Sequence, residues 1–457
     1  MFPPPTEPAE TRKSPELRPA SPASIGGPPA PIVASPAVAE LGALRNRANA
    51  ASRIALGHVR PRTPPCGRSG VLWREAMGTR RPWRSRRIGA GALVALLLLL
   101  ALAVPAWSHL RAMGLLARLS DAKATGWVAG VGRHTVREAP FELRDDRGPI
   151  PARLYAPDGV DRPPGVVLAH GVHRLGIEEP RLKAFSRALA STGIAVLTPE
   201  LRELADYRID PRSIATLGLA VTELRARLDG RRVGLMGMSF AGGLSLMAAA
   251  DPRFAPSIGF VASIGGHDDL GRVLRFFVTN TIEHPDGSLE ELHAHTYGPM
   301  VLVYSHIEGF FPEADAAAAR DALRYWLWEE FDTAKERVKQ LGPESRARME
   351  ALFDHKLETV RPELLAEIER QSPRFPSVSP AECLRDVRAP IFLLHGAGDT
   401  VIPASETEWL AHDAPRAWLA QALVSKAISH VELEGEPGWA DRLRLVHFIA
   451  GLLDAAR

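Results

Sequence analysis

From about residue 134 onward, short apolar runs alternate with stretches of helical periodicity, and this alternation restricts the fold more than any other feature. The predicted strands cover residues 150–155, 165–169, 194–198, 232–236, 258–264, 391–394 and 423–428. The predicted helices cover residues 181–191, 212–228, 240–250, 405–412 and 438–454. The first strand alternates and is predicted to be antiparallel, whereas the others are short apolar runs. The sequence therefore predicts an α/β fold with a mostly parallel sheet and helices on both faces.

The segment 267–385 interrupts this alternation. Its sequence is mostly helical in pattern, with long amphipathic helices predicted at 314–341 and 344–371. We therefore expect a helical cap that packs over the sheet, while residues 134–266 and 386–456 form the α/β core.

The segment 237–243, with the sequence GMSFAGG, lies between a predicted strand and a predicted helix. A serine at such a strand–turn–helix position sits in a tight backbone. Small residues two positions before and after it, here Gly237 and Ala241, keep the strand and the helix from colliding. The turn exposes the Ser239 hydroxyl and directs a helix N-terminus at it. Ser239 is therefore the predicted nucleophile.

A serine hydroxyl attacks a carbonyl only when a base takes its proton and a carboxylate orients that base. Asp399 follows one predicted strand, and His430 follows the last one. The chain order Ser239, Asp399, His430 is the order found on scaffolds with a nucleophile elbow. Asp268 and Asp269 follow an earlier strand and are the alternative position for the acid.

An acyl-transfer site also needs donors for the oxyanion. The backbone N–H of Phe240, directly after the nucleophile, is one predicted donor. The second is the N–H of Val172, in the loop after strand 165–169, where Gly171 permits close approach of the backbone. His170 and His173 flank this glycine; they are predicted to shape the loop, and a role as base is the alternative.

Four motifs together resemble the α/β-hydrolase superfamily over about residues 134–456. They are VVLAHG at 166–171, GMSFAGG at 237–243, HGAGDTVIP at 395–403 and SH at 429–430. The chain is most similar in pattern to dienelactone-hydrolase and prolyl-oligopeptidase-like serine esterases, with Ala241 where glycine is commoner. The resemblance implies the α/β-hydrolase fold, with segment 267–385 as a cap inserted between the sixth and seventh strands.

The first 110 residues have a different composition. Residues 1–79 are rich in proline, alanine and arginine and are predicted to be disordered, and Met77 is an alternative start. The segment 80–110 holds an arginine cluster and then an uncharged apolar run at 88–107. Twenty such residues span roughly 30 Å as a helix, the thickness of a bilayer core.

This pattern predicts a single-pass anchor with the hydrolase body outside the cytoplasm, because the arginines stay on the cytoplasmic side. Small residues before and at Ala106 also suit signal cleavage after it, which would give a secreted or periplasmic protein.

Charge and cysteine content exclude other classes. The first 87 residues hold 15 Lys and Arg against 5 Asp and Glu, so the folded part is mildly acidic although the whole chain is +3. A basic nucleic-acid surface on the body is therefore not expected. Two cysteines cannot form a disulfide framework. His293 and His295 are too few for a metal site, and we expect no metal or organic cofactor.

The sequence thus predicts a serine hydrolase acting on a small acyl substrate, most simply a carboxylic ester. Peptidase and acyltransferase activity use the same residues and remain alternatives, as does a catalytically silent binding protein on this scaffold.

Overall fold

The computed structural model describes residues 103, 105–121, 123–429, 432–433 and 438–457. The predicted tail, and most of the predicted apolar segment 88–107, lie outside the described residues. Within the described ranges, no helix has both the length and the apolar character needed to cross a membrane.

Eight strands form the central sheet. They are β1 (Val136–Asp145), β2 (Gly148–Pro157), β3 (Gly165–Ala169), β4 (Ala195–Pro199), β5 (Val233–Met238), β6 (Ile258–Ile264), β7 (Ile391–Gly396) and β8 (Leu419–Ser425). Their order across the sheet is β1-β2-β4-β3-β5-β6-β7-β8. β2 pairs antiparallel with both of its neighbours, and every pair from β4 to β8 is parallel. The predicted mostly parallel sheet, with an antiparallel strand at 150–155, is confirmed.

Helices cover both faces of this sheet. The core helices are α1 (Pro180–Ala190), α2 (Arg212–Arg227), α3 (Phe240–Ala250), α4 (Leu270–Thr279), α10 (Ser405–Asp413) and α11 (Trp439–Ala455); α5 to α9 belong to the insertion described next. Short helices lie at Trp127–Gly130 and Arg202–Ala205. Along β3, Val167 packs in the core beneath α2 and α3, whereas Val166 and Leu168 pack in the core beneath α1 and α11. All three are fully buried, as expected of a strand covered on both faces.

The insertion between β6 and β7 is mostly helical. After α4 it contains α5 (Tyr297–Ser305), α6 (Glu313–Leu327), α7 (Phe331–Val338), α8 (Pro343–Phe353) and α9 (Arg361–Gln371). It also holds a two-stranded hairpin, Thr281–Glu283 with Leu289–Glu291.

The prediction of two long helices in this segment is wrong, because each is divided into two shorter helices. The first break follows Trp328, where Glu329 adopts a φ of 63°. The second follows Asp354, where His355 adopts a φ of 57°. A left-handed residue ends an α-helix, and here the residue is not glycine, so the sequence gives no stop signal.

Two strands also differ from the prediction. β1 is a ten-residue edge strand that the sequence pattern did not indicate, and it pairs with β2 along its whole length. The last strand was predicted at 423–428, but β8 ends at Ser425. Residues Ile428–Ser429 instead pair with Glu432–Leu433 in a separate two-stranded ladder. β8 has one partly exposed face, so its apolar run does not mark its ends.

Candidate active site

Ser239 lies at the turn between β5 and α3, in a conformation that few residues adopt. Its φ and ψ are 54° and −135°. Such a backbone costs on the order of 1–3 kcal/mol and persists only where the surroundings enforce it. A Cβ at Gly237 would lie 2.1 Å from the Ala241 carbonyl oxygen, so only glycine fits there. This is the geometry of a nucleophile elbow at the carboxyl end of a central strand.

The loop after β3 lies against this serine. A Cβ at Gly171 would be 3.0 Å from the Ser239 Cβ and 3.6 Å from its Oγ. Val172 follows Gly171 directly. Among the described residues, neither the Val172 N–H nor the Phe240 N–H has a hydrogen-bond acceptor. The two predicted donors therefore lie beside Ser239 in sequence or in space, with their hydrogen-bonding capacity unused.

His170 fixes the base of this loop to the core. Its Nδ1 lies 2.7 Å from the Gly171 carbonyl oxygen, and its Nε2 lies 2.9 Å from the Leu201 nitrogen. The Leu201 N–H can only donate, so Nε2 accepts and Nδ1–H donates. Burial lowers the pKa of His170 further toward the neutral form. Because both ring nitrogens are engaged, this arrangement favours the architectural role and leaves no nitrogen to act as base.

The tip of the same loop contacts the insertion. The Arg174 guanidinium lies 3.3 Å from the Glu330 carboxylate and 5.4 Å from the centroid of the Trp328 ring. Nearby, the Tyr207 hydroxyl donates to the Leu327 carbonyl at 2.9 Å. The end of α6 therefore touches the loop that carries Val172. Sequence reasoning missed Arg174, because an exposed arginine has no local signal that distinguishes it.

Asp399 lies in the loop after β7, at the same edge of the sheet as Ser239, and is 1% exposed. Its Oδ1 accepts the N–H groups of Val401 and Ile402 at 2.8 and 3.0 Å. Its Oδ2 lies 3.4 Å from Nε2 of the buried His395. Two backbone donors hold the carboxylate in one orientation. This fixed, buried carboxylate is where the sequence places the acid.

His430 lies outside the described residues, so its position remains a prediction. The chain that leads to it is described. β8 runs parallel to β7 and ends at the same edge as the Asp399 loop, with Ser425 paired to Gly396. The Asp441 carboxylate of α11 then accepts the Ser425 hydroxyl at 2.9 Å and the Ala427 N–H at 3.0 Å. The described chain therefore reaches residue 427 at the edge of the sheet that carries Ser239 and Asp399.

The alternative acids form a different kind of cluster. Asp269 caps α4 by accepting the Arg272 N–H at 2.7 Å. Asp268 pairs with the Arg272 guanidinium at 3.0 Å, and Glu406 pairs with the same group at 2.6 Å. Glu406 also accepts the N–H groups of Asp268 and Asp269. This cluster, Asp268–Arg272–Glu406, joins the start of α4 to the start of α10.

Two buried carboxylates share one guanidinium in this cluster. Burial, and then the negative charge of Glu406, raise the pKa of Asp268 to about 7, although Arg272 opposes the shift. The Asp268 Oδ1 has no hydrogen bond within the described part of the chain. Glu406 was missed at the sequence level, because in SETEW it looks like an exposed helical residue.

The other histidine motif, His293 and His295, lies next to the Asp399 loop. The His295 N–H donates to the Thr400 carbonyl beside Asp399 at 2.8 Å. No group of three or more His, Cys, Asp or Glu residues suited to a metal occurs in the described ranges.

A cavity of about 460 Å³ lies between the core and the insertion. Its apolar lining includes Ile209, Leu270, Leu274, Val301, Leu302, Phe375 and Val378. Its polar lining includes Arg208, His306 and Arg374. The Val378 carbonyl accepts from Nε2 of His267, whose ring packs on Phe240 with centroids 5.3 Å apart. One buried histidine therefore connects the cavity wall with the residue after the nucleophile.

No protein-family model and no curated protein matches the sequence. Solved structures do resemble the chain. An acylaminoacyl peptidase from Pyrococcus horikoshii aligns with a TM-score of 0.40 and 13% identity, over 69% of this chain and 40% of the peptidase, so the chain spans two fifths of that protein. The esterase domain of a Rhodothermus marinus protein aligns with a TM-score of 0.37 and 17% identity, over 70% of this chain and 97% of the esterase domain. An esterase from Pyrobaculum calidifontis aligns with a TM-score of 0.39 and 15% identity, over 72% of this chain and 87% of the esterase.

The class of fold follows from the chain's own geometry. The sheet order, the single reversed strand β2 and the serine elbow after β5 are those of an α/β hydrolase. The chain therefore has the α/β-hydrolase fold, as its motifs predicted.

Proposed function

We propose that the protein is a serine hydrolase that cleaves a carboxylic ester through an acyl-enzyme on Ser239. The observation that carries this proposal is the elbow itself. Ser239 holds a left-handed φ of 54° beside the Gly171 backbone, with two N–H groups left without acceptors among the described residues. A purely structural serine has no need of such a conformation.

The chemistry requires three side chains and two backbone donors. In the proposed reaction the Ser239 Oγ attacks the ester carbonyl carbon, and its proton passes to His430. The Val172 and Phe240 N–H groups then stabilise the negative oxygen of the tetrahedral intermediate. His430 returns the proton to the leaving alcohol, and water releases the acyl group by the reverse sequence. Asp399 holds His430 in the required tautomer.

A fluorophosphonate probe tests this proposal directly, because it labels an activated serine without regard to substrate. We expect labelling of the wild type and none of Ser239→Ala, with Ser377→Ala as an exposed-serine control. A panel of acyl esters and amides then separates esterase from peptidase activity. Addition of a competing alcohol would reveal acyl transfer. An unlabelled wild type would instead indicate a binding protein.

We also propose that residues 88–107 anchor the chain, with the body outside the cytoplasm. The support is the uncharged run after an arginine cluster. Intact mass and N-terminal sequencing of the membrane-extracted protein would distinguish a retained anchor from cleavage after Ala106. Recovery of the body with a new N-terminus at Trp107 would contradict the anchor.

A further inference from the structure

Five of the nine exposed large apolar side chains among the described residues lie on or beside two packed helices. One is the helix at 105–120, and the other is α11, near the carboxyl terminus. The exposed large apolar residues on or beside these helices are Trp107, Met113, Trp127, Trp439 and Leu443. Three of the five are tryptophans, which prefer the interface between a bilayer and water.

Trp439 and Leu443 are the exposed large apolar residues of α11 itself. They are 77% and 57% exposed, and they lie four residues apart, so they are neighbours on the same face of α11. Arg442 and Arg444 are exposed on either side of Leu443. Single exposed apolar residues are ordinary, but an adjacent Trp–Leu pair flanked by arginines has the composition of a helix face that binds anionic lipid.

The two helices are joined by specific contacts. Ser108 is fully buried, and its hydroxyl donates to Asp454 of α11 at 2.6 Å. The imidazoles of His109 and His447 are stacked, with 3.2 Å between Nε2 and Nδ1. Trp439 lies eight residues before His447, roughly 12 Å along the helix axis. The start of the helix at 105–120 therefore contacts the half of α11 that follows the Trp–Leu pair, between His447 and Asp454.

No linker separates the predicted membrane segment from the body. The uncharged run ends at Trp107, and the next residue, Ser108, is already docked. Three residues further on, the Arg111 guanidinium donates to the Thr192 carbonyl at 2.5 Å. A body attached without a flexible tether cannot stand away from the bilayer, so some part of its surface must lie against the lipid.

We propose that the face formed by Trp439, Leu443 and the start of the helix at 105–120 rests on a bilayer that contains anionic lipid. The same contact orients the candidate active site. α11 begins at the carboxyl edge of the sheet, where Asp441 binds Ser425 and Ala427. The edge that carries Ser239 then lies close to the membrane surface. Membrane contact itself does not depend on the proposed hydrolysis.

Site-directed spin labelling of the full chain tests this surface. Leu443→Cys and Leu289→Cys would be made in a Cys66→Ser, Cys383→Ala background and reconstituted in phosphatidylcholine vesicles with and without phosphatidylglycerol. Leu289, on the hairpin of the insertion, is the matched control because it is a leucine that is 69% exposed. Collision rates with oxygen, which enters lipid, and with a water-soluble nickel chelate report the surroundings of each label.

We expect the label at 443 to favour oxygen over the nickel chelate by severalfold, and more so with phosphatidylglycerol, while the label at 289 stays aqueous. An aqueous label at 443, or a chain that does not associate with the vesicles, overturns the proposal. A label at 443 shielded from both reagents, in proportion to protein density, would indicate a second copy of the chain and also overturn it. Fluorophosphonate labelling of the same samples reports separately on hydrolysis.

Discussion

The proposed nucleophile, Ser239, and the proposed acid, Asp399, lie at the same edge of one sheet, but the chain holds them in place by different physical means. The Ser239 region is built from backbone and glycines, since Gly237 leaves no room for a Cβ and Gly171 leaves little. The Asp399 carboxylate is held by hydrogen bonds from the Val401 and Ile402 N–H groups. In the helix that follows, α10, Glu406 shares the Arg272 guanidinium with Asp268. Steric fit does not change with pH or salt, whereas paired charges do. The two halves of the candidate site should therefore fail in different ways.

The largest effect should come from the nucleophile itself. Ser239→Ala and His430→Ala are each expected to lower kcat by about a millionfold, since each removes a group on which the whole triad depends. The fold should persist, because both side chains act in chemistry. Steady-state kinetics on a cognate ester, with circular dichroism as the fold control, measure this. Residual activity within a hundredfold of the wild type would rule out Ser239 as nucleophile.

The acid assignment gives the next largest effect. Asp399→Asn should lower kcat by about ten-thousandfold, because an amide cannot hold the histidine in the required tautomer. Asp268→Asn is the matched variant, an identical change in a carboxylate buried to the same degree. We expect it to retain kcat within tenfold. A reversed pattern, with Asp268→Asn inactive and Asp399→Asn active, would show that the acid is in the loop after β6 and is not Asp399.

Because the elbow depends on close steric fit, a larger residue there should lower the stability of the fold as well as the activity. Gly237→Ala places a methyl group into the Ala241 carbonyl and is expected to lower the free energy of unfolding by about 3 kcal/mol. Gly398→Ala is the control, because an added Cβ there meets no atom within 4 Å. Urea unfolding midpoints give both values. Equal stability of the two variants would mean that the elbow can relax.

The stability contributed by the Asp268–Arg272–Glu406 cluster should depend on pH. In the folded protein the pKa of Asp268 is about 7, against about 3.9 in an unfolded chain, so folding favours the protonated form. This residue's contribution to the free energy of unfolding therefore rises as the pH falls through 7, by about 2–3 kcal/mol between pH 8 and pH 5. Asp268→Asn should remove that increment. Urea titrations of both proteins at several pH values test it, and parallel curves would refute it.

The smallest effect is expected where the insertion contacts the loop that carries Val172. Arg174→Ala removes an exposed ion pair and an arginine–tryptophan contact, and should lower kcat about tenfold with little change in KM, since Val172 would be less well fixed. Arg144→Ala is the control, because Arg144 forms an exposed pair with Glu142 on β1. Salt at 1 M should narrow the gap between wild type and variant. Identical kinetics for both variants would show that contact with the insertion does not affect the candidate active site.

The sequence predicted the parts of the fold that rest on periodicity and small residues. The predicted bounds of strands 165–169 and 258–264 match the structure, because each is a mostly apolar run that stops before a polar residue or a glycine. The elbow was predictable because the turn requires small residues, and the motif at 237–243 contains them at the required positions. Breaks at Glu329 and His355 were not, because tertiary packing imposes a left-handed backbone on residues that do not favour it.

Long-range contacts account for what was missed in the site. Glu406 becomes a buried partner only because α10 packs beside α4, more than a hundred residues away in the chain. Arg174 gains its role from the end of α6, in an insertion whose position over the sheet no local pattern states. Spacing along a chain reveals which residues share an edge of a sheet, but not which charges meet across it.

The left-handed Ser239 also bears on how such a chain changes over evolutionary time. Its conformation costs folding free energy, and the proposed role of Ser239 as nucleophile explains why that cost is tolerated. A descendant freed from selection for catalysis would gain stability by exchanging that serine for glycine. Loss of the enzyme and a higher melting temperature would then arise from the same single mutation.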